Sequence, residues 1–243
     1  MILLISHYDE PNPARAAEYA ECLERNCALS RIEQVHVFCE DDSRPKASPK
    51  VKIIALRHRP RFSDLFEHAN GELVGRICII ANSDIYFDQT IQHFTFTDFT
   101  DLLFCLSRWN VDENGQTKLV DGARGSQDAW IFRAPIKPFT NDWPLGLLAC
   151  DNRLAYEAQV AGLRLLNPCV SVHANHLHLT GVHNWTEETR VEGASHFVDP
   201  GPGTIGSVPL PRNLSQQPAM LGRYCNNPLH PIPISMPMHM MKR

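Results

Sequence analysis

The chain has 243 residues, 43% of them hydrophobic and 21% charged, with a formal charge of −4 and a pI near 6.3. That length can bury a sizeable core in one large domain, and the acidic balance excludes the global basic field through which proteins bind nucleic acid. No segment approaches the roughly 18 consecutive apolar residues of a membrane span, although peripheral contact with a membrane surface stays open.

"MILLIS" at the start reads as a first β-strand, being short and without the basic flank of a signal peptide. After the polar loop "HYDEPNP", Asn12 is placed to cap a helix whose first turn holds Pro13. This helix is predicted to run to about Asn26, with Ala16, Tyr19, Ala20 and Leu23 as its buried face. "IEQVHVFCE" is a second strand ending in acids at Glu40, Asp41 and Asp42, and "VKIIALR" is a third. "RFSDLFEHAN" predicts a helix. "ICIIA" predicts a fourth strand, whose unbroken apolar run implies burial on both faces, as in a parallel sheet.

"LLFCLSRW" and "DAWIFRAP" read as further strands around a turn-rich loop or hairpin. "LLACDNRLAYEAQVAG" predicts a helix with Leu147, Cys150, Leu154, Ala158 and Ala161 on one side, and "LRLLNPCVSVHAN" returns as strand. Nine of the 18 prolines lie from Pro200 onward, so residues 200–243 are expected to form an extended Pro-rich tail, ordered against the rest of the chain. The eight cysteines are scattered without CxxC pairing and read as reduced, mostly buried thiols of a cytoplasmic protein.

In open α/β sheets, ligands bind beyond the carboxyl ends of the strands, so the polar residues at strand exits are the candidates for chemistry. Glu40, Asp84, Ser107-Arg108-Trp109 and Asp128 fall at or near such boundaries, and Asp151 opens a helix. In "NSDIYFD", Asn82-Ser83-Asp84 fits either a backbone-bonding turn or a carboxylate site for Mg²⁺ or Mn²⁺, while Asp88 reads as a cap or turn residue. "HANHLHLTGVHNW" gathers His173, His176, His178 and His183, and an extended backbone puts His176 and His178 on one face, within reach of one ion. Asp128 sits among apolar residues, where a partly desolvated carboxylate can act as general base or bind sugar hydroxyls. Asp151 fits a helix cap as well as a catalytic role, and the four tryptophans read as core.

Taken in order, these pieces resemble a nucleotide-sugar-dependent glycosyltransferase of the GT-A fold over about residues 1–185, within a small bacterial-type family sharing "NSDIYFD" and "SQDAWIF". The resemblance implies a Rossmann-like mixed, mainly parallel sheet flanked by helices. It implies one domain over 1–199, with a nucleotide-binding half to about residue 105 and an acceptor half over 106–199. "NSDIYFD" stands where that fold carries its DxD motif, Asn82 replacing the first acid and Asp84 matching the last.

The same resemblance makes Asp151 the first and Asp128 the second candidate for catalytic base, and His178, with His176 behind it, the late metal ligand. Ser6, Tyr8, Glu40, Asn82, Ser83, Arg108 and Trp109 would bind the nucleotide sugar, Arg108 assisting electrostatically. Mn²⁺ or Mg²⁺ is the implied cofactor, a UDP- or GDP-sugar the donor and a glycan hydroxyl the acceptor. A metal-dependent phosphoesterase holding two ions between these acids and histidines, and a non-catalytic carbohydrate- or partner-binding module of the same fold, are the alternatives.

Overall fold

The computed structural model describes residues 1–40, 42–182 and 185–202, with Phe96 as backbone only, and the backbone of the strand pair Thr204–Ile205 and Val208–Pro209. Asp41, His183, Cys225 and nearly all of the Pro-rich extension lie outside the described residues. β1 (Ile2–His7), α1 (Pro13–Ala28), β2 (Gln34–Glu40) and β3 (Val51–Leu56) open the chain. α2 (Phe62–Glu72), β4 (Ile77–Ala81) and the short β5 (Ile85–Phe87) follow, then a 3₁₀ segment over Gln89–Phe96. β6 (Leu102–Val111) turns into β7 (Thr117–Leu119), and β8 (Gln127–Arg133), α3 (Cys150–Val160), β9 (Arg164–Leu166) and β10 (Ala174–His176) complete the main body.

These strands form one mixed sheet in the order β3-β2-β1-β4-β8-β6-β10-β5, with β7 and β9 pairing to β6. β3, β2, β1 and β4 run parallel, and β8 enters antiparallel between β4 and β6. The expected α/β class and mainly parallel sheet are therefore present. Side-chain parity explains the core. Leu3, Ile5, Ile79, Ala81 and Ile131 face one apolar cluster, while Ile2, Leu4, Cys78, Ile80, Trp130 and Phe132 face the other. Strands buried on both faces need apolar residues at every position, which is why "ICIIA" shows no alternation. α2 and α3 cover one face through Phe62, Leu65, Phe66, Cys150, Leu154 and Ala158; α1 and the 3₁₀ segment cover the other through Leu23, Ile91 and Phe94.

Two local expectations need correction. The strand read across residues 163–175 is broken into β9 and β10, because Pro168 begins a turn whose carbonyl accepts from the amides of Ser171 and Val172. The buried stripe of α1 is not the apolar one: Arg15, Glu18, Cys22 and Asn26 are buried with Leu23, while Ala20 is exposed. Ala16, Tyr19, Ala20 and Leu23 instead line a hollow of about 230 Å³ between α1 and the ends of β1 and β2, floored also by Ile5 and Val37. Among the described residues no cysteine joins a disulfide, and no helix is long and apolar enough to cross a membrane.

Candidate active site at the carboxyl edge of the sheet

Strand direction brings the polar residues together. β1, β2, β4 and β6 end at one edge of the sheet, and β8, running the other way, begins there. A cleft of about 410 Å³ opens at this edge. Ser6, Tyr8, Glu40, Asn82, Ser83 and Arg108 line it, as do both acids considered as bases, Asp128 and Asp151, and the trio Asp84, His176 and His178. Trp109 does not line it. Its ring is buried against His173, and its Nε1–H donates to the carbonyl of Cys169 at 2.8 Å. It follows Arg108 on β6 and so points to the opposite face, which corrects its assignment to the nucleotide sugar.

Asp84 sits in a tight turn closed by the Ile85 amide donating to the Asn82 carbonyl at 3.1 Å, as the turn reading of "NSD" expects. Its Oδ2 accepts from Arg15 Nη2 at 2.5 Å and faces His176 Nε2 at 3.1 Å, while Oδ1 is buried with no hydrogen-bond partner. Burial opposes the carboxylate charge, but His176 and Arg15 outweigh it and hold the group well below the usual aspartate range. Ligand-type atoms of Asp84, His176 and His178 lie within 4.8 Å of one another, the one such cluster found among the described residues.

The imidazole tautomers follow from their partners. Arg108 Nε can only donate, so the Asn110 atom facing it at 3.1 Å is oxygen, and His176 Nδ1, 3.2 Å from that oxygen, must carry a proton to bond it. His176 Nε2 then turns towards Asp84 Oδ2. His178 Nε2 donates to the Val182 carbonyl at 2.9 Å. Histidine ligands are commonly oriented by a hydrogen bond from one ring nitrogen to protein. With the orphaned Asp84 Oδ1, these residues fit a divalent cation.

Asp128 owes its position to a shift in register. Leu106 pairs with Ala129 but Ser107 pairs with Gln127, so Asp128 is skipped by the ladder and carried to the cleft, as residues in β-bulges often are. Asn82 Nδ2 donates to its Oδ1 at 2.9 Å, and Arg108 Nη1 lies 3.3 Å from both of its oxygens. Asp151, in the first turn of α3, accepts the Gln127 amide on Oδ2 at 3.1 Å and Asn152 Nδ2 on Oδ1 at 3.2 Å. Burial, and then the neighbouring charge of Asp128, push its pKa up to about 6. Two acids on one cleft wall thus stand in different environments, the arrangement that separates the roles of carboxylates in enzymes. Before Asp151, Ala149 adopts the left-handed conformation at φ 63, local strain in the lining of the cleft.

Sequence reasoning missed Arg15, Glu18 and Asn110. Arg15 and Glu18 were hidden because hydrophobic periodicity does not count charged residues as buried; their spacing with Cys22 and Asn26 was the available signal. Asp88 caps the 3₁₀ segment through Thr90 and contacts His173, as a turn residue would, and neither lines the cleft. Trp130 is core as expected, whereas Trp185 is partly exposed at the cleft.

No protein-family model matches this chain, and no curated protein matches it. Among solved structures it is similar to 4-diphosphocytidyl-2C-methyl-D-erythritol synthase from Anaerococcus prevotii (9% identity, TM-score 0.42, covering 77% of this chain and 93% of that one). It is also similar to S. aureus TarS 1-349 in complex with UDP-GlcNAc (11%, 0.38, 80% of this chain and 59% of that one). A third likeness is to HddC from Yersinia pseudotuberculosis (12%, 0.31, 54% and 76%). At these identities and TM-scores the likenesses carry no argument about activity.

Proposed function

We propose that the protein is a nucleotide-sugar-dependent glycosyltransferase. The observation that carries this reading is one cleft holding a cation-type trio, Asp84, His176 and His178, together with an acid, Asp151, whose pKa lies in the range of a general base. At the other end of the cleft, the hollow between α1 and β1 shares Ser6, Tyr8, Tyr19 and Ser83 with it and adds Arg44 and Lys46 over an apolar floor. A planar base seated there would direct its diphosphate towards Ser83, Asp84 and Arg108.

A divalent ion held by Asp84, His176 and His178 would neutralise charge on the leaving diphosphate, and a ligand set with two imidazoles suits Mn²⁺ better than the strictly oxygen-seeking Mg²⁺. The chain's own groups do the rest. The acceptor hydroxyl oxygen forms a bond to the anomeric carbon while the carbon–oxygen bond to the diphosphate breaks, its electron pair leaving with the nucleotide. The hydroxyl proton passes to Asp151. Arg108 stays with Asp128 and presents its guanidinium to the departing phosphate. This arrangement inverts the anomeric centre.

A screen of UDP-, GDP-, CMP- and dTDP-sugars with Mn²⁺ and glycan acceptors, read by mass spectrometry, tests the proposal. One donor is expected to be consumed, with at least a 100-fold loss in Asp84→Asn. Asparagine is the chosen substitution because removing the side chain would strand the buried Arg15 cation. Phosphate release from simple phosphoesters without any nucleotide response would favour the phosphoesterase. Glycan binding unaffected by Asp84→Asn, without turnover of any donor, would favour the non-catalytic module.

A further inference from the structure

Arg15 is 4% exposed and Glu18 7% exposed, on the face of α1 where an amphipathic helix would carry apolar residues. A buried ion pair is seldom worth more to stability than a well-packed apolar pair, so its partners indicate what it does. Arg15 Nη1 bonds Glu18 Oε2 at 2.6 Å and the Leu177 carbonyl at 3.1 Å, while Nη2 bonds Asp84. Glu18 Oε1 accepts the amides of Leu179 and Thr180, each at 2.8 Å, and Oε2 accepts the Thr180 hydroxyl at 3.1 Å. The residues on both sides of His178 are therefore tied to one turn of α1. The Leu177 amide, which follows His176, donates to the Asp84 carbonyl at 3.0 Å.

We infer that Arg15 and Glu18 are positioning residues that hold the backbone of 177–180 and the Asp84 carboxylate in the geometry in which Asp84, His176 and His178 bind a cation. The inference rests on the proposed cation site. The same guanidinium reaches the other end of the cleft. Arg15 Nε donates to Tyr19 Oη at 3.1 Å, and Tyr19 Oη lies 3.0 Å from Tyr8 Oη, which donates to Glu10 at 2.9 Å. With the Tyr8 proton committed to Glu10, Tyr19 donates to Tyr8, and the chain of bonds has a single direction from Arg15 to Glu10. One helix thereby joins the proposed nucleotide end to the cation end.

The test uses Arg15→Lys, which keeps the charge but loses the fork, and Glu18→Gln, which keeps an acceptor for the two amides but turns an NH₂ towards Arg15. Both are first shown to melt cooperatively. Two readouts follow: long-range ¹H–¹⁵N spectra of the His176 and His178 rings, and Mn²⁺ affinity from the electron paramagnetic resonance signal of the free ion. Wild type is expected to show one tautomer for each ring. At least one folded variant is expected to show averaged ring signals and a Mn²⁺ Kd raised about 10- to 100-fold, the usual range for the loss of a group that orients metal ligands.

Unchanged ring spectra and Mn²⁺ affinity in every variant that folds would overturn the inference, leaving a merely structural ion pair. If wild type binds no Mn²⁺, the cation reading fails. The ring spectra still decide the positioning claim: averaging in the variants upholds it, and an unchanged tautomer overturns it.

Discussion

Asp151 lies where the chemistry and the energetics of single residues meet. Its carboxyl titrates at about 6 in the fold against an ordinary 3.8. As the proposed base it must be ionised, so kcat/KM is expected to rise about tenfold per pH unit up to about 6 and to level above it. Asp151→Asn should lose that limb and about 10²- to 10⁴-fold in kcat. Between 3.8 and about 6 the folded state binds a proton that the unfolded state has released, so this group lowers stability as pH rises through the window and keeps the penalty above it. Asp151→Asn should therefore raise the melting temperature at pH 8, a stabilisation of about 1–3 kcal/mol, with the gain fading towards pH 4. Calorimetric melts across pH check both signs. At this scale the sequence was informative because short acids and histidines stand out at strand exits. Trp109 was misread because strand parity, not type, decides which face a side chain takes. Asn82 also becomes intelligible: its amide donates to Asp128, where a second carboxylate would meet a like charge.

Among the elements, α1 departs most from expectation. Apolar periodicity selected Ala16, Tyr19, Ala20 and Leu23, but that face meets the hollow, and the helix is anchored through polar side chains. Asn26 shows the mechanism. Its Nδ2 donates to the Ile85 carbonyl at 2.8 Å and its Oδ1 accepts the Phe87 amide at 3.0 Å, so one side chain stands in for a neighbouring strand along β5, directly after Asp84. Asn26→Ala would leave two buried backbone groups unpaired and is expected to cost about 2–4 kcal/mol in urea unfolding. Between β2 and α2, His36 Nδ1 lies 2.8 Å from His68 Nε2, and burial, then the charges of His68 and Lys52, lower the His36 pKa to about 4. The unfolded chain takes up this proton near 6.5, before the folded one does, so stability is lost as pH falls from 6.5 to about 4. Replacing His36 by Gln should flatten the pH dependence of unfolding in that window, by about 1–3 kcal/mol in total. The sequence placed the helices and strands well because their apolar patterns are local. Polar burial depends on partners far along the chain, which no local pattern encodes.

The whole molecule owes its cleft to strand order. Four parallel strands deliver β1, β2 and β4 to one edge, and the antiparallel entry of β8 adds Asp128 and, through α3, Asp151. An apolar strand reads the same in either direction, so the sequence gives the class of the sheet without the reversal at β8 or the place of β10 beside β6. The convergence of Asp84, His176 and His178, the two acids, and Ser6, Tyr8 and Glu40 on one cleft could be expected from resemblance, but only the topology joins them. Isothermal titration of wild type with UDP and GDP, each with and without Mn²⁺, tests the central claim most directly, because a donor site built on Asp84, His176 and His178 makes ion and diphosphate bind together. The account predicts that one nucleotide binds at least tenfold more tightly with Mn²⁺ and that Asp84→Asn abolishes the difference. Binding of neither nucleotide, or binding indifferent to both Mn²⁺ and Asp84, would contradict it.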